Sequence, residues 1–557
     1  MIRIIVITVL FLFITPVLIS QTDQPKLVVG IVVDQMRSDH LYKYQDRFSN
    51  GGFKRLIREG YNFKNTLYNY IPTYTAPGHA SIYSGATPST HGIIGNTWYQ
   101  RSTKQVVTNI GDTNELIVGT EEVNSYGASP RNLLSSTITD QLRMVTQFKS
   151  KVISVSIKDR GAILPGGHTA NAAYWHDWKS SPGYFISSSY YMEELPKWVS
   201  NFNKSGKSDS YLKDSWSTLY PIDSYEASAA DDNNYERAIG GKTSPTFPYD
   251  YESMRARYKE IGAEFQLIWV SPAGNSLLTD FAIEAIKNEK LGSNGVTDFI
   301  NISYSVPDII GHTFGPQSVE FEDVILRLDR DIENLLNSLD ATIGNKNYLL
   351  FLTSDHGSVP VTAYLRDNKL PGGIAQIPQY QVNLTNHLNS KYGSGDWIEY
   401  FDGESVYLNH ELIKQKKLSL SVVQRVVADY LITLDEITAA LTASDLQTQS
   451  YSHGINQKLQ KGYHSKRSGD VLIILKPAYV PNLNPKIASF QQMKGTTHGS
   501  GYAYDSHVPM LWFGNSIPNG ESVRKVSVID IAPSLSMFLN IPLPSGSEGE
   551  PLIELFD

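Results

Sequence analysis

The chain has 557 residues, 41% hydrophobic and 19% charged, with a net charge of −8 and 33 tyrosines. That length calls for a large core or several subdomains, the aromatic content excludes a disordered chain, and the acidic balance argues against nucleic-acid binding. There is no cysteine, so disulfides and thiolate metal sites are excluded, and any metal site must use histidine and carboxylate.

Residues 1–20 read as a secretory signal. Arg3 gives the positive start, Ile4 to Leu18 is an apolar run too short to favour a membrane span, and Ser20-Gln21 is a cleavage site. The mature product is therefore expected to be periplasmic or secreted, without stable membrane association after cleavage. Lys26 to Val33 is continuously apolar, the pattern of a buried parallel strand. Asp34 follows at its carboxyl end, where open α/β sheets place their sites. Phe53 to Glu59 reads as a short amphipathic helix. Within Ile71 to Gly85, Pro77 suits a first helical turn. Thr75 then lies at or near the N-cap, where free backbone N–H groups and the helix dipole favour negative charge. A metal-bound threonine there would be an activated nucleophile.

Lys151 to Ile157 is a further strand, followed by Lys158-Asp159-Arg160. Residues 200–250 are rich in Ser, Asp, Asn, Tyr and Gly and read as an irregular surface insertion. Ser276 to Glu289 has helical period. Asp298 to Tyr304 is a strand leading to Asp308, and Phe321 to Leu339 is a long amphipathic helix. Asn347 to Thr353 is a buried strand leading to Asp355. Residues 360–490 break the strand–helix alternation. They hold helical pieces at Ser419–Leu431 and Leu434–Ala443 and strand pieces at Ser405–Leu408 and Asp470–Leu475. Core character returns at 507–513 and 526–539. The chain thus reads as an α/β fold: a core formed by 21–360 and 491–557, with an inserted cap at 361–490.

Five pieces carry candidate metal ligands: Asp34; Thr75; Asp308 with His312, four apart and so on one helical face; Asp355-His356; and His498 among flexible residues. Each alone is weak, since an Asp after a strand is most often a turn residue. Together they are specific, because three follow apolar strands that would align in a parallel sheet. Asp39, His40, His79 and His91 read as supporting or packing residues, His507 as structural, and His168, His176 and Asp177 as possible pocket lining.

Val33-Asp34-Gln-Met-Arg, Pro72-Thr-Tyr-Thr75-Ala-Pro-Gly-His79, Gly95-Asn96, Pro307-Asp308-x3-His312, Ser354-Asp355-His356-Gly357 and Thr497-His498-Gly499 resemble the alkaline phosphatase superfamily. Within it they are most similar to the PafA-type phosphomonoesterases, which use threonine as nucleophile. The resemblance spans nearly the whole mature chain, including Val528 to Ser534, and implies a mostly parallel sheet flanked by helices. It implies two zinc ions, one held by Asp308, His312 and His498, the other by Asp34, Asp355, His356 and the Thr75 oxygen. Two such ions ~4 Å apart hold the attacking and leaving oxygens of an in-line displacement. A covalent phospho-threonine is then expected.

The same resemblance assigns phosphate contacts to Lys158, Arg160 and Asn96. Charge counting agrees. Two divalent ions are cancelled by three aspartates and a Thr75 alkoxide, so a monoester dianion needs further positive charge. Lys158 and Arg160, read as alternating along an extended segment, point the same way and supply it. The expected substrates are small-molecule phosphate monoesters, handled by a monomer. A phosphodiesterase or nucleotide pyrophosphatase of the same superfamily is the alternative. A sulfatase fits less well because residue 75 is Thr, a phosphoglycerate-mutase-like enzyme because it would be cytoplasmic and use Ser. A non-catalytic zinc-binding protein would need neither Thr75 nor Asn96.

Overall fold

The structure is a computed structural model that describes residues 24–120, 126–179 and 182–556. The leader expected at 1–20 lies outside them. Four parallel strands form the centre of an eleven-stranded sheet. They are β1 (Leu27–Val33), β2 (Val152–Ser156), β3 (Asp298–Tyr304) and β4 (Tyr348–Thr353). Their spatial order is β4-β1-β3-β2, and all three pairings are parallel. The continuous apolarity has its expected cause. Along β1, Leu27, Val29, Ile31 and Val33 belong to one hydrophobic cluster, and Val28 and Val32 to another on the opposite face. A strand buried on both faces cannot alternate. Met510–Gly514 adds antiparallel beside β4, and Ala172–Asp177 adds parallel beside β2. The sheet is thus mixed, with a parallel centre flanked by helices.

The register sets up the site. Val33 pairs with Tyr304, Val32 with Thr353, and Ser156 with Ser303. Asp34, Asp355 and Lys158 follow within two residues of those paired ends. Helix α1 (Thr75–Ser84) lies buried along its whole length. Tyr74, in extended conformation, is its N-cap, and Thr75 is its first helical residue. Helix α2 (Asp159–Gly166) begins directly after Lys158, so the extended Lys158–Arg160 segment expected from the sequence is not found. Lys158 is the extended N-cap and Arg160 lies in the first turn. Helix α3 (Val306–Phe314) carries Asp308 and His312 one turn apart, as their spacing predicts.

One further reading is corrected. Leu434–Ala443 is not helical: Ile437–Thr442 is a strand paired antiparallel to Val471–Leu475. Its β-branched residues and that partner outweigh an ambiguous short apolar period. Residues 200–250 are largely irregular and mostly exposed or half-buried, as their composition predicts, but they are anchored by buried aromatics. Trp216 and Tyr249 are buried in the main core, and the Trp216 indole donates to Asp323 Oδ2 at 2.7 Å. Residues 373–482 contain a four-stranded sheet, in the order Ile398–Phe401, Ser405–Leu408, Val471–Leu475, Ile437–Thr442, with its own hydrophobic cluster around Trp397.

One glycine fixes the depth of α1. A Cβ on Gly78 would meet Asp355 Cβ at 2.8 Å and its Cα at 2.9 Å. Backbone on that side cannot retreat cheaply, so Gly78→Ala should destabilise the fold by about 1–3 kcal/mol. Thermal or urea unfolding checks this; an unchanged midpoint would show that α1 and the Asp355 loop separate without cost.

Candidate active site

The carboxyl ends of β1, β3 and β4 bring Asp34, Asp308 and Asp355 to one edge of the sheet, the edge where α/β folds place ligands. All three are buried. Lys158 reaches the same spot from the end of β2. Its ammonium donates to Asp34 Oδ2 at 2.7 Å and to Asp308 Oδ2 at 2.5 Å. Around this bridge stand three imidazoles. His312 Nε2 is 3.2 Å and His498 Nε2 3.5 Å from Asp308 Oδ1. His356 Nε2 is 3.3 Å from Asp34 Oδ1 and 3.7 Å from Asp355 Oδ2. The His356 and His498 rings stack with centroids 3.5 Å apart. Thr75 Oγ1 lies 3.4 Å from His356 Nε2. Sequence positions 34, 75, 158, 308, 312, 355, 356 and 498 therefore converge.

The electrostatics follow from burial and crowding. Burial, then the Asp308 charge, raises the Asp34 pKa; burial, then Asp34, pushes Asp355 well up. Burial also opposes ionisation of Asp308, yet His312 and Lys158 hold it well below the usual carboxylate range. Burial works against the Lys158 charge as well, but Asp308 and Asp34 raise its pKa. Burial and the neighbouring His498 push His356 well below the usual imidazole range.

The donor set fits divalent metal ions. Carbonyl oxygens can only accept, so the contacts of His312 Nδ1 to Thr496 O (2.8 Å), His498 Nδ1 to Thr73 O (2.9 Å) and His356 Nδ1 to Gly357 O (3.0 Å) fix the proton on Nδ1. Each Nε2 then faces the carboxylates, and in His356, which burial keeps neutral, it is a bare lone pair, the arrangement of metal-bound histidines. Asp34 Oδ1 and Asp355 Oδ2 are buried without a hydrogen-bond partner among the described residues. The lone pair of His356 Nε2 thus faces the Asp34 oxygen, a contact that a bound cation would make favourable. Among the described residues, two groups have ligand atoms within 4.8 Å of one another: Asp308 with His312 and His498, and Asp34 with Asp308 and His356. The first is the trio expected from the sequence. The second shares Asp308, with Asp355 and Thr75 alongside His356.

The phosphate-contact candidates border this centre. Asn96 Oδ1 accepts from the Ala76 backbone N–H at 3.0 Å, beside Thr75, which leaves its Nδ2 as the donor end. Arg160 Nε is buried without a hydrogen-bond partner among the described residues. His79 supports the turn that carries Thr75, donating from Nδ1 to Thr75 O at 2.8 Å and meeting Ser303 Oγ at 2.9 Å through Nε2. His507 donates to Lys64 O at 2.8 Å, a structural contact. His168 and His176 do not join the group; they bond to Ser135 O and to the Trp269 indole.

Sequence reasoning missed Gln35. Its side chain donates to Asp308 Oδ1 at 2.7 Å, and its backbone N–H donates to Asp355 Oδ1 at 3.2 Å. It holds a left-handed φ of 66°, uncommon for a residue with a side chain. Only its place directly after Asp34 hinted at this.

Comparison with known proteins agrees with this geometry. The family described as Type I phosphodiesterase / nucleotide pyrophosphatase matches residues 28–501. A Myroides odoratus protein named "Calcium-transporting ATPase" is 43% identical, covering 97% of this chain and 96% of that protein. Alkaline phosphatase PhoV of Synechococcus elongatus is 43% identical over 96% of this chain and 93% of its own. The crystal structure of wild-type alkaline phosphatase PafA superposes with a TM-score of 0.89 at 39% identity, covering 96% of this chain and 99% of that one. The chain belongs to the type I phosphodiesterase/nucleotide pyrophosphatase family of the alkaline phosphatase superfamily, in its PafA-like branch.

Proposed function

We propose that this protein is an exported alkaline phosphatase that hydrolyses phosphate monoesters through a covalent phospho-threonine. The observation that carries the reading is the placement of Thr75 Oγ1 at the start of a buried helix, against His356 and the Asp34–Asp308–Asp355 cluster, with Lys158 in the same centre. The names of the full-length relatives PhoV and PafA support monoester hydrolysis. The leader-like residues 1–20 support work outside the cytoplasm. Among the described residues no helix is long and apolar enough to cross a membrane.

Two ions of the zinc type fit the donors, one on Asp308, His312 and His498, the other on Asp34 and His356 with Asp355 and Thr75 Oγ1 alongside. Bound there, they would lower the pKa of the Thr75 hydroxyl and offset charge on the departing oxygen. The protein's own groups do the rest. Thr75 gives its hydroxyl proton to water as Oγ1 bonds to phosphorus, the ester P–O bond breaks, and the departing alkoxide takes a proton back from water to leave as the alcohol. Water then attacks the same phosphorus from the opposite side, releasing phosphate and restoring Thr75. The His79 bond to Thr75 O holds the turn that aims the hydroxyl. Lys158, Arg160 and the Asn96 amide grip the non-bridging oxygens; Arg160 can hold two at once. Once metal charge neutralises Asp34 and Asp308, the Lys158 ammonium is the group left to balance the dianion.

The name of the Myroides relative suggests ATP-driven calcium transport. That reading shares phosphoryl transfer but predicts nucleotide hydrolysis coupled to calcium.

The nucleophile is tested with Thr75→Ala, which should lose at least on the order of 10²–10³-fold in kcat while still binding inorganic phosphate. Acid quenching of the parent should leave phosphate on Thr75. Label on another residue would contradict the assignment. Substrate class is tested with Lys158→Ala/Arg160→Ala. Its kcat/KM for an aryl phosphate should fall on the order of 100-fold, but for the methyl diester by less than about tenfold. Equal losses, or a parent that prefers the diester, would favour the phosphodiesterase reading.

A further inference from the structure

A cleft of about 250 Å³ opens beside the phosphate-contact candidates, with Asn96 and Tyr74 in its lining. Tyr74 directly precedes Thr75, and its ring packs edge-on to His498 with centroids 5.4 Å apart. The cleft runs from the Thr97–Gln100 strand of the main body to the turn between Ile398–Phe401 and Ser405–Leu408. Its walls include Trp98, Tyr400 and Tyr407, with the Tyr400 and Tyr407 rings 5.9 Å apart. Two carboxyl groups, Asp402 and Glu404, also line it, and among the described residues no Lys, Arg or His does. Both acids are half-buried. The Asp402 carboxylate accepts from the backbone N–H groups of Glu404 (2.9 Å) and Ser405 (2.7 Å), which fixes the turn.

We propose that this cleft is a leaving-group subsite selective for phosphate monoesters whose alcohol carries an ammonium group. The inference rests on the phosphatase reading of the adjoining centre, and it names the alcohol that the centre releases. Three features carry it. The cleft begins at the residues flanking the nucleophile, so a phosphate at Thr75 would extend its alcohol into it. Its volume lies below the ~300–1,000 Å³ of sites for drug-sized ligands, which suits a compact alcohol. Aromatic rings beside a carboxylate attract a cation through ring quadrupole and charge together; Arg467 and Arg101 already sit 5.0 Å from the Trp98 and Tyr407 rings, which leaves Tyr400 and the acids as the open part of the wall. Burial pushes Asp402 up to about 6 and Glu404, which accepts from the Tyr74 hydroxyl, up to about 8, so Asp402 carries the charge at neutral pH and Glu404 adds to it at alkaline pH. At alkaline pH the same pair of acids repels an alcohol that bears a second phosphate or a carboxylate.

The test compares choline phosphate with its uncharged carbon isostere, 3,3-dimethylbutyl phosphate, on the full zinc-loaded chain. The expected ratio of kcat/KM is about tenfold or more in favour of the cationic ester. It should fall toward one in Asp402→Asn and in Glu404→Gln. Because each ratio is taken within one variant, partial loss of folded protein cancels. Equal kcat/KM for the two esters in the parent, or a ratio that survives both substitutions, overturns the subsite. An aryl phosphate assayed on the same preparation separates the two claims. If it is hydrolysed while the two esters show no difference, the phosphatase reading stands and the subsite falls. If no monoester is turned over, the phosphatase reading falls. The subsite is then read directly by calorimetric titration of choline against 3,3-dimethylbutanol, and equal affinities overturn it.

Discussion

Three buried carboxylates at one edge of a parallel sheet are the constraint on which the rest of the structure depends. At a separation near 4 Å, two like charges repel by about 4 kcal/mol even at an effective dielectric of 20. A fold that gathers Asp34, Asp308 and Asp355 must therefore keep cations among them. One is built in: Lys158 bridges Asp34 and Asp308. The imidazoles are the second device: burial works against the His312 charge but Asp308 raises its pKa, while burial keeps His356 neutral with its Nε2 toward Asp34. A centre so rich in carboxylate and imidazole donors suits a metal.

The fold delivers these groups by register and close packing. Neighbouring parallel strands end level with one another, so residues distant in sequence emerge side by side. Helix α1 is held against the Asp355 loop at Gly78, where no side chain fits, and this brings Thr75 to the carboxylates. Gln35 ties the arrangement together by donating to both Asp308 and Asp355. The aromatic cleft beside Asn96 is assembled from the main body and the small sheet of residues 398–475.

Much of this was legible in the amino-acid order. Strands buried on both faces announce themselves as unbroken apolar runs, and Asp34 and Asp355 follow such runs. The i, i+4 spacing of Asp308 and His312 needed only a helix. The illegible parts depend on contacts that no local pattern encodes. Ile437–Thr442 reads equally as helix or strand until Val471–Leu475 lies beside it. Trp216 and Tyr249 sit in a Ser- and Asp-rich stretch whose composition hides a partner at Asp323. Arg160 was read on an extended segment, but Asp159 opens a helix and turns it. Gln35 carries no motif of its own; its role comes from a backbone turn that places it between two carboxylates.

The account is tested most directly by anomalous diffraction at the zinc edge from crystals of the zinc-loaded protein soaked in inorganic phosphate. It predicts two metal peaks per chain, one among Asp308, His312 and His498 and one between Asp34, His356 and Thr75. Phosphate should lie between Thr75 and the Lys158–Arg160 pair, with Lys158 released from Asp34. A single peak, or Lys158 still bridging Asp34 and Asp308 with phosphate bound elsewhere, would contradict it.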